Sequence, residues 1–405
     1  MPNPGTPKQA VILAGGRGTR LMPLTATLPK PMLSFGGKPF LAYLVEMLVA
    51  EGIRRIVLLV GYLGEVIEAY FGDGAAFGVA ITYSKGPVED DTGTRMARAR
   101  PLLDEVFVLV YCDNYWPMPL QQMWASFQRT SVLAQVVVYR NADAHTKHNL
   151  RVHNGLVTAY DKSRTLSDLR GVDIGFLILH RAVLDLLDEG NSSFEASVYP
   201  KLVAGGQLAA FETDHRYYSV GSHERLPLTE QFLARKMTIF LDRDGTLNRR
   251  PPPAEYVRSW ADWEWLPGVL EALRLLTTSG YRILVVTNQP GIARGMMSED
   301  DLLAIHRRMT DEAAAAGGHI EYVFYCPHGW NDGCDCRKPQ PGMLYQAQRK
   351  YHLDLSRTPL IGDDERDGQA ASAAGCPYWV LDANSDMDLL SVVRSFLAGR
   401  VMLRA

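Results

Sequence analysis

Short apolar runs alternate with longer amphipathic stretches along almost the whole chain, and this alternation restricts the possible folds more than any other feature. The runs of the first half include QAVILA, RIVLLV, VFVLVY and LAQVVVY, and those of the second half are MTIFL, RILVVT, EYVFY, TPLIG and PYWVL. Such runs are typical of buried strands, and the stretches between them are typical of helices. The pattern predicts an α/β protein with mostly parallel sheets, in which helices of the second half begin near Pro267, Ser298, Pro341 and Glu365.

The chain is long enough for two such domains. Its 405 residues exceed what a single hydrophobic core usually organises. Residues Thr229 to Lys236 are typical of a helix end, and the apolar run from Met237 follows at once. We therefore predict two domains, residues 1–235 and 236–405, joined with almost no linker.

Charge and composition exclude several classes of partner. Lys and Arg number 42 against 45 Asp and Glu, a net charge of −3, so the excess positive charge of a nucleic-acid-binding protein is absent. No apolar run approaches the roughly 20 residues that span a bilayer, and the start MPNPGTPKQA lacks a secretory pattern. Three of the five cysteines crowd into one short segment, which suits a metal site in a reducing compartment. We predict a cytoplasmic protein without nucleic-acid or membrane partners.

Two acidic side chains follow the first strand of the second half. Asp242 and Asp244 lie in the segment DRDGT directly after MTIFL. Open α/β sheets place their ligand sites at the carboxyl ends of strands. Two carboxylates one residue apart suit a nucleophile and a general acid/base acting on one phosphate, with a divalent cation offsetting their repulsion.

Further polar groups follow the later strands. Thr287 and Asn288 end the run RILVVTN and can hold phosphate oxygens. Lys338 offers a cation for the nucleophile and the transferring phosphoryl group, and Asp363, after another strand, suits magnesium. Each of these residue types is common on protein surfaces, but the ordered set indicates one phosphate-handling site.

This ordered set resembles the haloacid dehalogenase superfamily over residues 237 to about 385. The resemblance implies a Rossmann-like phosphatase domain with Asp242 as nucleophile and Asp244 as general acid and base. It also implies magnesium, held by the side chains of Asp242 and Asp363 and by the backbone carbonyl of Asp244. The other matching positions are Thr246, Thr287, Lys338 and Asp367.

A cysteine-rich segment precedes the lysine. Cys326, His328, Cys334 and Cys336 form a Cys3His set appropriate to a closed, tetrahedral zinc site. A loop with free thiols is the alternative.

Together with TNQPGIARG and CRKPQPGM, the cysteine-rich segment resembles the heptose bisphosphate phosphatase branch of that superfamily, of which histidinol phosphatase is a close relative. The resemblance implies that the zinc is structural and that Arg294 and Arg337 bind the second phosphate of the substrate. Asp364 departs from the branch, which often has a basic residue at this place.

A glycine-rich loop follows the first strand of the chain. The segment AGGRGTRL would let backbone N–H groups approach a triphosphate while its two arginines add positive charge. It matches neither the Walker A spacing nor G-x-G-x-x-G, which excludes the kinase and dehydrogenase interpretations. The loop alone would be an ordinary strand connection about half the time.

The loop is followed by PLT, LPKPM and GKP, and this series resembles the sugar-1-phosphate nucleotidyltransferases over residues 9 to about 234. The resemblance implies a Rossmann-like domain that binds a nucleoside triphosphate through Gly15, Gly16, Arg17, Gly18, Thr19 and Gly93, with Thr94 beside them. It further implies catalytic roles for Arg20 and Lys30, a magnesium acid at Asp113, and sugar-phosphate contacts at Lys162, Asp173 and Gly175.

Two departures from that family concern charge. Ser219 occupies the place of an acid that is commonly a second magnesium ligand, and a neutral hydroxyl is a poorer ligand for a hard cation. Glu89, Asp90 and Asp91 add negative charge where apolar or prolyl residues are usual. Both departures predict a weakened transferase half.

The two halves fit one sequence of reactions. A phosphatase that removes the C7 phosphate of heptose 1,7-bisphosphate would supply heptose 1-phosphate, which a nucleotidyltransferase would join to GMP from GTP to give GDP-heptose. One alternative is an active phosphatase joined to a weakened nucleotide-sugar-binding module. Another is a different specificity, such as histidinol phosphate or another hexose 1-phosphate. A homo-oligomer is compatible with each of these.

Overall fold

The computed structural model describes residues 5–252, 254–381 and 388–399. The chain forms two compact units, Met1–Ala234 and Arg235–Ala405. Each unit is an α/β structure around its own sheet, as the alternation of apolar runs predicts.

The described residues of the first unit form thirteen strands. They are β1 (Gln9–Ala14), β2 (Ser34–Phe35), β3 (Lys38–Pro39), β4 (Arg55–Val60), β5 (Ala80–Lys85), β6 (Val106–Tyr111), β7 (Asn114–Tyr115), β8 (Ala134–Tyr139), β9 (Leu150–His153), β10 (Leu156–Tyr160), β11 (Val172–His180), β12 (Leu208–Thr213) and β13 (Tyr218–Ser219). Nine of them form one sheet in the order β5-β4-β1-β6-β11-β8-β12-β10-β9, and β2-β3 and β7-β13 form two small ribbons.

The large sheet is parallel over one half and mixed over the other. Strands β5, β4, β1 and β6 run parallel, whereas β11 is antiparallel to both β6 and β8. The reversal follows from the connection, because β8 leads to β11 through the antiparallel hairpin β9–β10 and not through a crossover helix. The sequence pattern predicts the parallel half and misses the antiparallel pairings.

Helices cover both faces of this sheet. They are α1 (Phe40–Ala50), α2 (Gly64–Phe71), α3 (Thr92–Ala99), α4 (Leu120–Gln128), α5 (Phe194–Ala204) and α6 (Leu226–Leu233). Alternate residues of β1 face different cores: Ile12 packs with the α1 side, and Val11 and Leu13 pack with the α3 and α5 side. Burial on both faces explains why β1 is apolar throughout.

The second unit contains a five-stranded, fully parallel sheet. Its strands are β14 (Thr238–Leu241), β15 (Arg282–Asn288), β16 (Ile320–Cys326), β17 (Leu360–Gly362) and β18 (Tyr378–Val380), in the order β16-β15-β14-β17-β18. The helices are α7 (Val269–Thr278), α8 (Glu299–Ala315), α9 (Gly342–Tyr351), α10 (Glu365–Ala374) and α11 (Leu389–Leu397). Strand β14 lies where the strand order reverses, the usual position of a ligand site in such sheets.

Within the described ranges, the model contains no helix with the length and apolarity required to cross a membrane.

Candidate active sites

The predicted phosphatase residues meet at the carboxyl edge of the second sheet. Asp242 follows β14, Thr287 lies at the end of β15, Asp363 follows β17, and Lys338 lies in the loop before α9. Gly245 permits the close approach of two of these segments. Its φ is 96°, and a Cβ there would lie 1.8 Å from Asp363 Oδ2.

Lys338 joins the acidic residues of this edge. Its buried ammonium lies 2.6 Å from Asp242 Oδ1 and 2.5 Å from Asp367 Oδ1, and it also donates to the backbone carbonyl of Val286 at 2.9 Å. Burial alone would lower the pKa of Lys338, but the two carboxylates outweigh burial and raise it above its ordinary value. The lysine is therefore a fixed positive charge.

Three carboxylates cluster at this edge, where Lys338 pairs with Asp242 and Asp367, and Arg250 pairs with Asp363 at 2.9 Å. Donor atoms of Asp242, Asp363 and Asp367 lie within 4.8 Å of one another. Burial and the neighbouring carboxylates raise the pKa of Asp242, although Lys338 opposes the shift, and burial raises the pKa of Asp363 to about 6 although Arg250 opposes it. Asp363 Oδ1 is buried and has no hydrogen-bond partner among the described residues. Clustered hard oxygen donors with an unsatisfied buried oxygen fit a divalent cation such as magnesium.

Asp244 lies apart from that group and is held by donors. Arg243 approaches both of its carboxylate oxygens at 2.9–3.2 Å, Asn248 Nδ2 donates at 3.0 Å and Gln289 Nε2 at 2.7 Å. Burial would raise the pKa of Asp244, but these donors outweigh it and lower the pKa. Arg243 is itself buried and lies 3.2 Å from His306 Nε2 on α8.

Sequence reasoning does not predict this support of Asp244. The one sequence signal is Arg243 itself, a cation between two acids directly after a buried strand. Burial and the Arg243 charge lower the pKa of His306 to about 3, so its imidazole is neutral at physiological pH.

The remaining predicted groups have distinct environments. Thr246 Oγ1 is buried without a hydrogen-bond partner in the described part of the chain, and Thr287 Oγ1 accepts from Gln289 Nε2 at 2.9 Å. Both amide atoms of Asn288 pair with the backbone of Lys338 at 3.0 Å. Asn288 therefore positions the segment that carries Lys338.

Most of the predicted phosphatase residues line a cavity of about 550 Å³ that also contains five arginines. Arg294 donates to the Tyr256 hydroxyl at 2.7 Å, and Arg337 lies 3.3 Å from the carbonyl oxygen of His328. The other three, Arg243, Arg250 and Arg366, were not predicted as phosphate contacts. Several positive side chains in the same cavity as Asp242 suit a substrate with a second anionic group.

The cysteine-rich segment forms a compact cluster. The sulfurs of Cys326, Cys334 and Cys336 and the Nδ1 atom of His328 lie 3.2–3.7 Å apart in the pairs that make contact. Tetrahedral zinc with Zn–S bonds of about 2.3 Å would hold its sulfurs about 3.8 Å apart. All three cysteines are free thiols, and the donor set fits a closed zinc site.

The predicted nucleotide loop follows β1, which lies in the parallel half of the first sheet. Gly18 has a φ of 65°, and its carbonyl accepts from Thr25 Oγ1 at 3.0 Å. Gly16 has open space at its Cβ position. A cavity of about 180 Å³ lies beside Gly18, Thr19, Arg20, Lys30 and Gly221.

A buried arginine supports this loop and is absent from the sequence prediction. Arg95, on α3, donates to the backbone carbonyls of Gly15, Val60, Pro87 and Val88 at 2.8–3.3 Å. A Cβ at residue 15 would lie 2.4 Å from the guanidinium, so glycine is required there. Arg95 therefore joins the segments that follow β1, β4 and β5.

Lys30 and Asp113 form an ion pair in this unit. Lys30 Nζ lies 2.7 Å from Asp113 Oδ2. Burial opposes both charges, but the pairing raises the pKa of Lys30 and lowers that of Asp113. Ser219 lies next to them, because β13 pairs with β7 at Asn114, and its hydroxyl accepts from the backbone N–H of Gly221 at 3.0 Å.

Two of the predicted sugar-binding residues, Asp173 and Gly175, lie near the start of β11, and Lys162 lies between β10 and β11. Asp173 accepts from the Tyr199 hydroxyl at 2.9 Å and from the backbone N–H of Gly175 at 2.8 Å, and burial raises its pKa to about 6. Lys162 is exposed, with its Nζ 3.9 Å from Glu195 Oε2. Gly93 packs against the backbone of residue 192, where its N–H donates to a carbonyl at 2.9 Å.

The unusual acids near the nucleotide loop are largely neutralised. Glu89 forms an ion pair with Arg17 at 3.2 Å, and Asp90 forms one with Arg98 at 2.7 Å. The predicted excess of negative charge is therefore smaller than the sequence suggests.

Comparisons with known proteins agree with this division into two sites. The Nucleotidyl transferase family profile matches residues 9–150, and the Polynucleotide kinase 3 phosphatase profile matches residues 236–367. D-glycero-beta-D-manno-heptose-1,7-bisphosphate 7-phosphatase from Bordetella bronchiseptica is 42% identical over 153 residues, which are 38% of this chain and 84% of that protein. The protein of the same name from Rhodopseudomonas palustris is 41% identical over 150 residues, which are 35% of this chain and 82% of that protein. The chain belongs to the D-glycero-beta-D-manno-heptose-1,7-bisphosphate 7-phosphatase family.

This heptose bisphosphate phosphatase family member carries a nucleotidyl transferase domain in the same chain, so both enzyme classes predicted from the sequence are confirmed. The fold of the transferase half has a solved counterpart in HddC from Yersinia pseudotuberculosis. That structure is 24% identical, with a TM-score of 0.50, and the match covers 56% of this chain and 99% of HddC. At this identity the likeness shows the fold alone.

Proposed function

We propose that this protein catalyses two reactions of nucleotide-activated heptose synthesis. Its second unit removes the C7 phosphate of D-glycero-D-manno-heptose 1,7-bisphosphate, and its first unit transfers GMP from GTP to heptose 1-phosphate. The observation that carries the proposal is the cavity lined by Asp242, Lys338 and five arginines. Relatives that act on a heptose bisphosphate, by their names, support the assignment.

In the phosphatase reaction Asp242 is the nucleophile. Its carboxylate attacks the phosphorus of the C7 phosphate, and the bond to the sugar oxygen breaks. Asp244 gives a proton to that oxygen and then takes one from the water that hydrolyses the aspartyl-phosphate. The lowered pKa of Asp244 keeps its carboxylate ionised, as the base step requires. Lys338 offsets the charge of Asp242 and the phosphoryl oxygens, and Thr287 and Thr246 offer hydroxyls to those oxygens.

Two metal ions belong to this proposal. Asp242, Asp363 and the backbone carbonyl of Asp244 would hold magnesium, with Asp367 close by, and the ion would neutralise charge on the transferring phosphoryl group. Cys326, His328, Cys334 and Cys336 would hold zinc, which would fix the loop before Lys338. The free thiols of this set support a cytoplasmic location.

In the transferase reaction a phosphate oxygen of heptose 1-phosphate attacks the α-phosphorus of GTP, and pyrophosphate leaves. The residues that follow β1, from Gly15 to Arg20, would receive the triphosphate on backbone N–H groups, and Lys30 and Arg20 would offset its charge. Asp113 would hold magnesium. Lys162, Asp173 and Gly175 would position the sugar phosphate.

The guanine base and the anomer rest on the resemblance of the transferase half. The proposed product is GDP-D-glycero-α-D-manno-heptose, whereas the names of the phosphatase relatives specify the beta sugar. Both anomers therefore belong in the test.

One observation favours a second candidate, a transferase half that binds a nucleotide sugar without efficient catalysis. Ser219 replaces the expected second acid, and its hydroxyl is engaged by the backbone of Gly221. Tight GTP binding without pyrophosphate release would select this candidate.

The deciding experiment measures pyrophosphate release from GTP, with ATP, CTP and UTP in parallel, using α- and β-heptose 1-phosphate and magnesium. We expect release with GTP and the α-anomer. Release with the β-anomer alone would change the product, and no release from protein with an active phosphatase half would reject the transferase proposal.

A further inference from the structure

Trp330 is the most exposed large apolar side chain in the described part of the chain. Its relative exposure is 61%, yet it lines the phosphatase cavity with Asp242 and Lys338. Exposed tryptophans in ligand cavities commonly contact the ligand. None of the motifs in the sequence includes this residue.

Two arginine guanidinium groups lie close to the indole ring of Trp330. The guanidinium carbon of Arg337 lies 4.3 Å from the Trp330 ring centroid, and that of Arg366 lies 5.6 Å from it. Both distances are within the range of cation–π attraction. All three side chains line the cavity, and we call them the Arg337–Trp330–Arg366 cluster.

Each arginine of the cluster is also held on its other side. Arg366 makes two hydrogen bonds of 2.8 Å to Asp364, and Arg337 contacts the carbonyl of His328 at 3.3 Å. The indole therefore completes a fixed arrangement of two cations. Fixed cations lose less side-chain entropy when an anion binds.

The charge of the cluster is only partly balanced. Asp364 also pairs with Arg250 at 3.2 Å, so two arginines share that carboxylate. Arg337 forms no ion pair within 4.0 Å among the described residues. The cluster thus keeps positive charge within the cavity.

We infer that Trp330 and Arg366, together with Arg337, determine the specificity of the phosphatase for sugars that carry a second phosphate. Trp330 holds the two guanidinium groups in place. Arg366 supplies a positive charge close to Asp364, the residue that stands where the phosphatase branch often has a basic side chain. This inference rests on the proposed function, because it assumes a bisphosphate substrate. It adds two residues, Trp330 and Arg366, to the predicted phosphate contacts.

The test compares two substrates that share the phosphatase chemistry. Heptose 1,7-bisphosphate has a second phosphate, whereas p-nitrophenyl phosphate has none. The quantity compared is kcat/KM for heptose 1,7-bisphosphate divided by kcat/KM for p-nitrophenyl phosphate. In the full-length Trp330→Leu variant, loss of two cation–π contacts should lower this ratio about 5- to 30-fold. The decrease should appear mainly in KM for the bisphosphate. Arg366→Gln should also lower this ratio. Trp330→Phe should lower it less than Trp330→Leu does, because phenylalanine retains an aromatic face.

Tyr322→Leu is the matched control. Tyr322 is an exposed aromatic residue on β16 with Lys350 Nζ 3.2 Å from its ring centroid, and it does not line the cavity. We expect the ratio in this variant to equal that of the wild type.

Each outcome bears on the inference. An equal loss on both substrates in Trp330→Leu would show a structural role and overturn it, as would an unchanged ratio in an enzyme that prefers the bisphosphate. A wild-type enzyme without any preference for the bisphosphate would overturn the proposed substrate, and the inference with it.

Discussion

Replacing Lys338 by Met should destabilise the second unit as well as abolish phosphate release. Lys338 Nζ is the only described ammonium in contact with Asp242 and Asp367, at 2.6 and 2.5 Å, and all three side chains are buried. Methionine keeps most of the volume and removes the charge. The variant therefore isolates the electrostatic contribution of the lysine.

The expected loss follows from leaving buried carboxylates without their partner. Removing one member of a buried ion pair typically costs about 3–5 kcal/mol. For a unit of this size, each kcal/mol corresponds to a fall in Tm of about 2–4 °C, so we expect a decrease of roughly 6–20 °C.

The loss should depend on pH. The folded-state pKa of Asp242 lies above its unfolded value, so the folded state binds more protons and its stability falls as pH rises above that unfolded value. Without the lysine this pKa rises further, because an opposing positive charge is lost. The difference between variant and wild type should therefore increase from acidic to neutral pH.

Differential scanning calorimetry of the full chain, at several pH values with and without magnesium, would measure these effects. Magnesium should recover more stability in Lys338→Met than in the wild type, because a divalent cation replaces the missing charge. Lys350→Met is the control, since Lys350 is exposed and lies over the Tyr322 ring. A decrease below roughly 3 °C that does not vary with pH would refute the assumed buried ion pair.

Four further predictions follow from the two sites. Asp242→Asn should abolish phosphate release from the bisphosphate while pyrophosphate release continues, and loss of both activities in a folded variant would contradict independent sites. The purified protein should contain about one zinc per chain by elemental analysis, and a fully active preparation without zinc would argue against a structural site. Ser219→Asp should raise the rate of pyrophosphate release if a magnesium ligand is missing, whereas an equal or lower rate would mean that magnesium is held in another way. Arg95→Met should raise KM for GTP at least about tenfold, because the loop carbonyls lose their hydrogen-bond donor. Arg98→Met, on the same helix, is the control and should leave KM for GTP unchanged. Equal effects of both changes would contradict a specific role of Arg95.

The convergence of Asp242, Thr287, Lys338 and Asp363 could be predicted from the sequence, because parallel strands bring their carboxyl ends to one edge. The supporting contacts could not be predicted in this way. Arg243 meets His306 across 63 positions of the chain, and Arg95 meets Gly15 across 80. Such pairs depend on how helices pack on the sheet, and no local pattern encodes that packing.

The direction of individual strands was also beyond local patterns. Residues 176–179 of the antiparallel strand β11 are buried and apolar, like the neighbouring strand β6 of the parallel half. Periodicity distinguishes buried from half-buried strands and carries no information about direction. The antiparallel half of the first sheet is therefore visible only in the structure.

The structure compensates the changed charge at some, but not all, of the positions that depart from the two families. Glu89 and Asp90 are neutralised by arginines, and Asp364 is neutralised by Arg250 and Arg366.

Ser219 has no comparable compensation. Among the described residues, the groups of three or more metal-binding side chains both lie in the second unit, and Asp113 pairs with Lys30 at 2.7 Å. If Asp113 binds magnesium, Lys30 must exchange its carboxylate partner for the phosphates of the nucleotide. The absence of a carboxylate at residue 219 would then weaken magnesium binding more than nucleotide binding. An excess of magnesium should restore the transferase rate of the wild type toward that of Ser219→Asp, and a gap that persists at saturating magnesium would show that residue 219 acts on the chemical step itself.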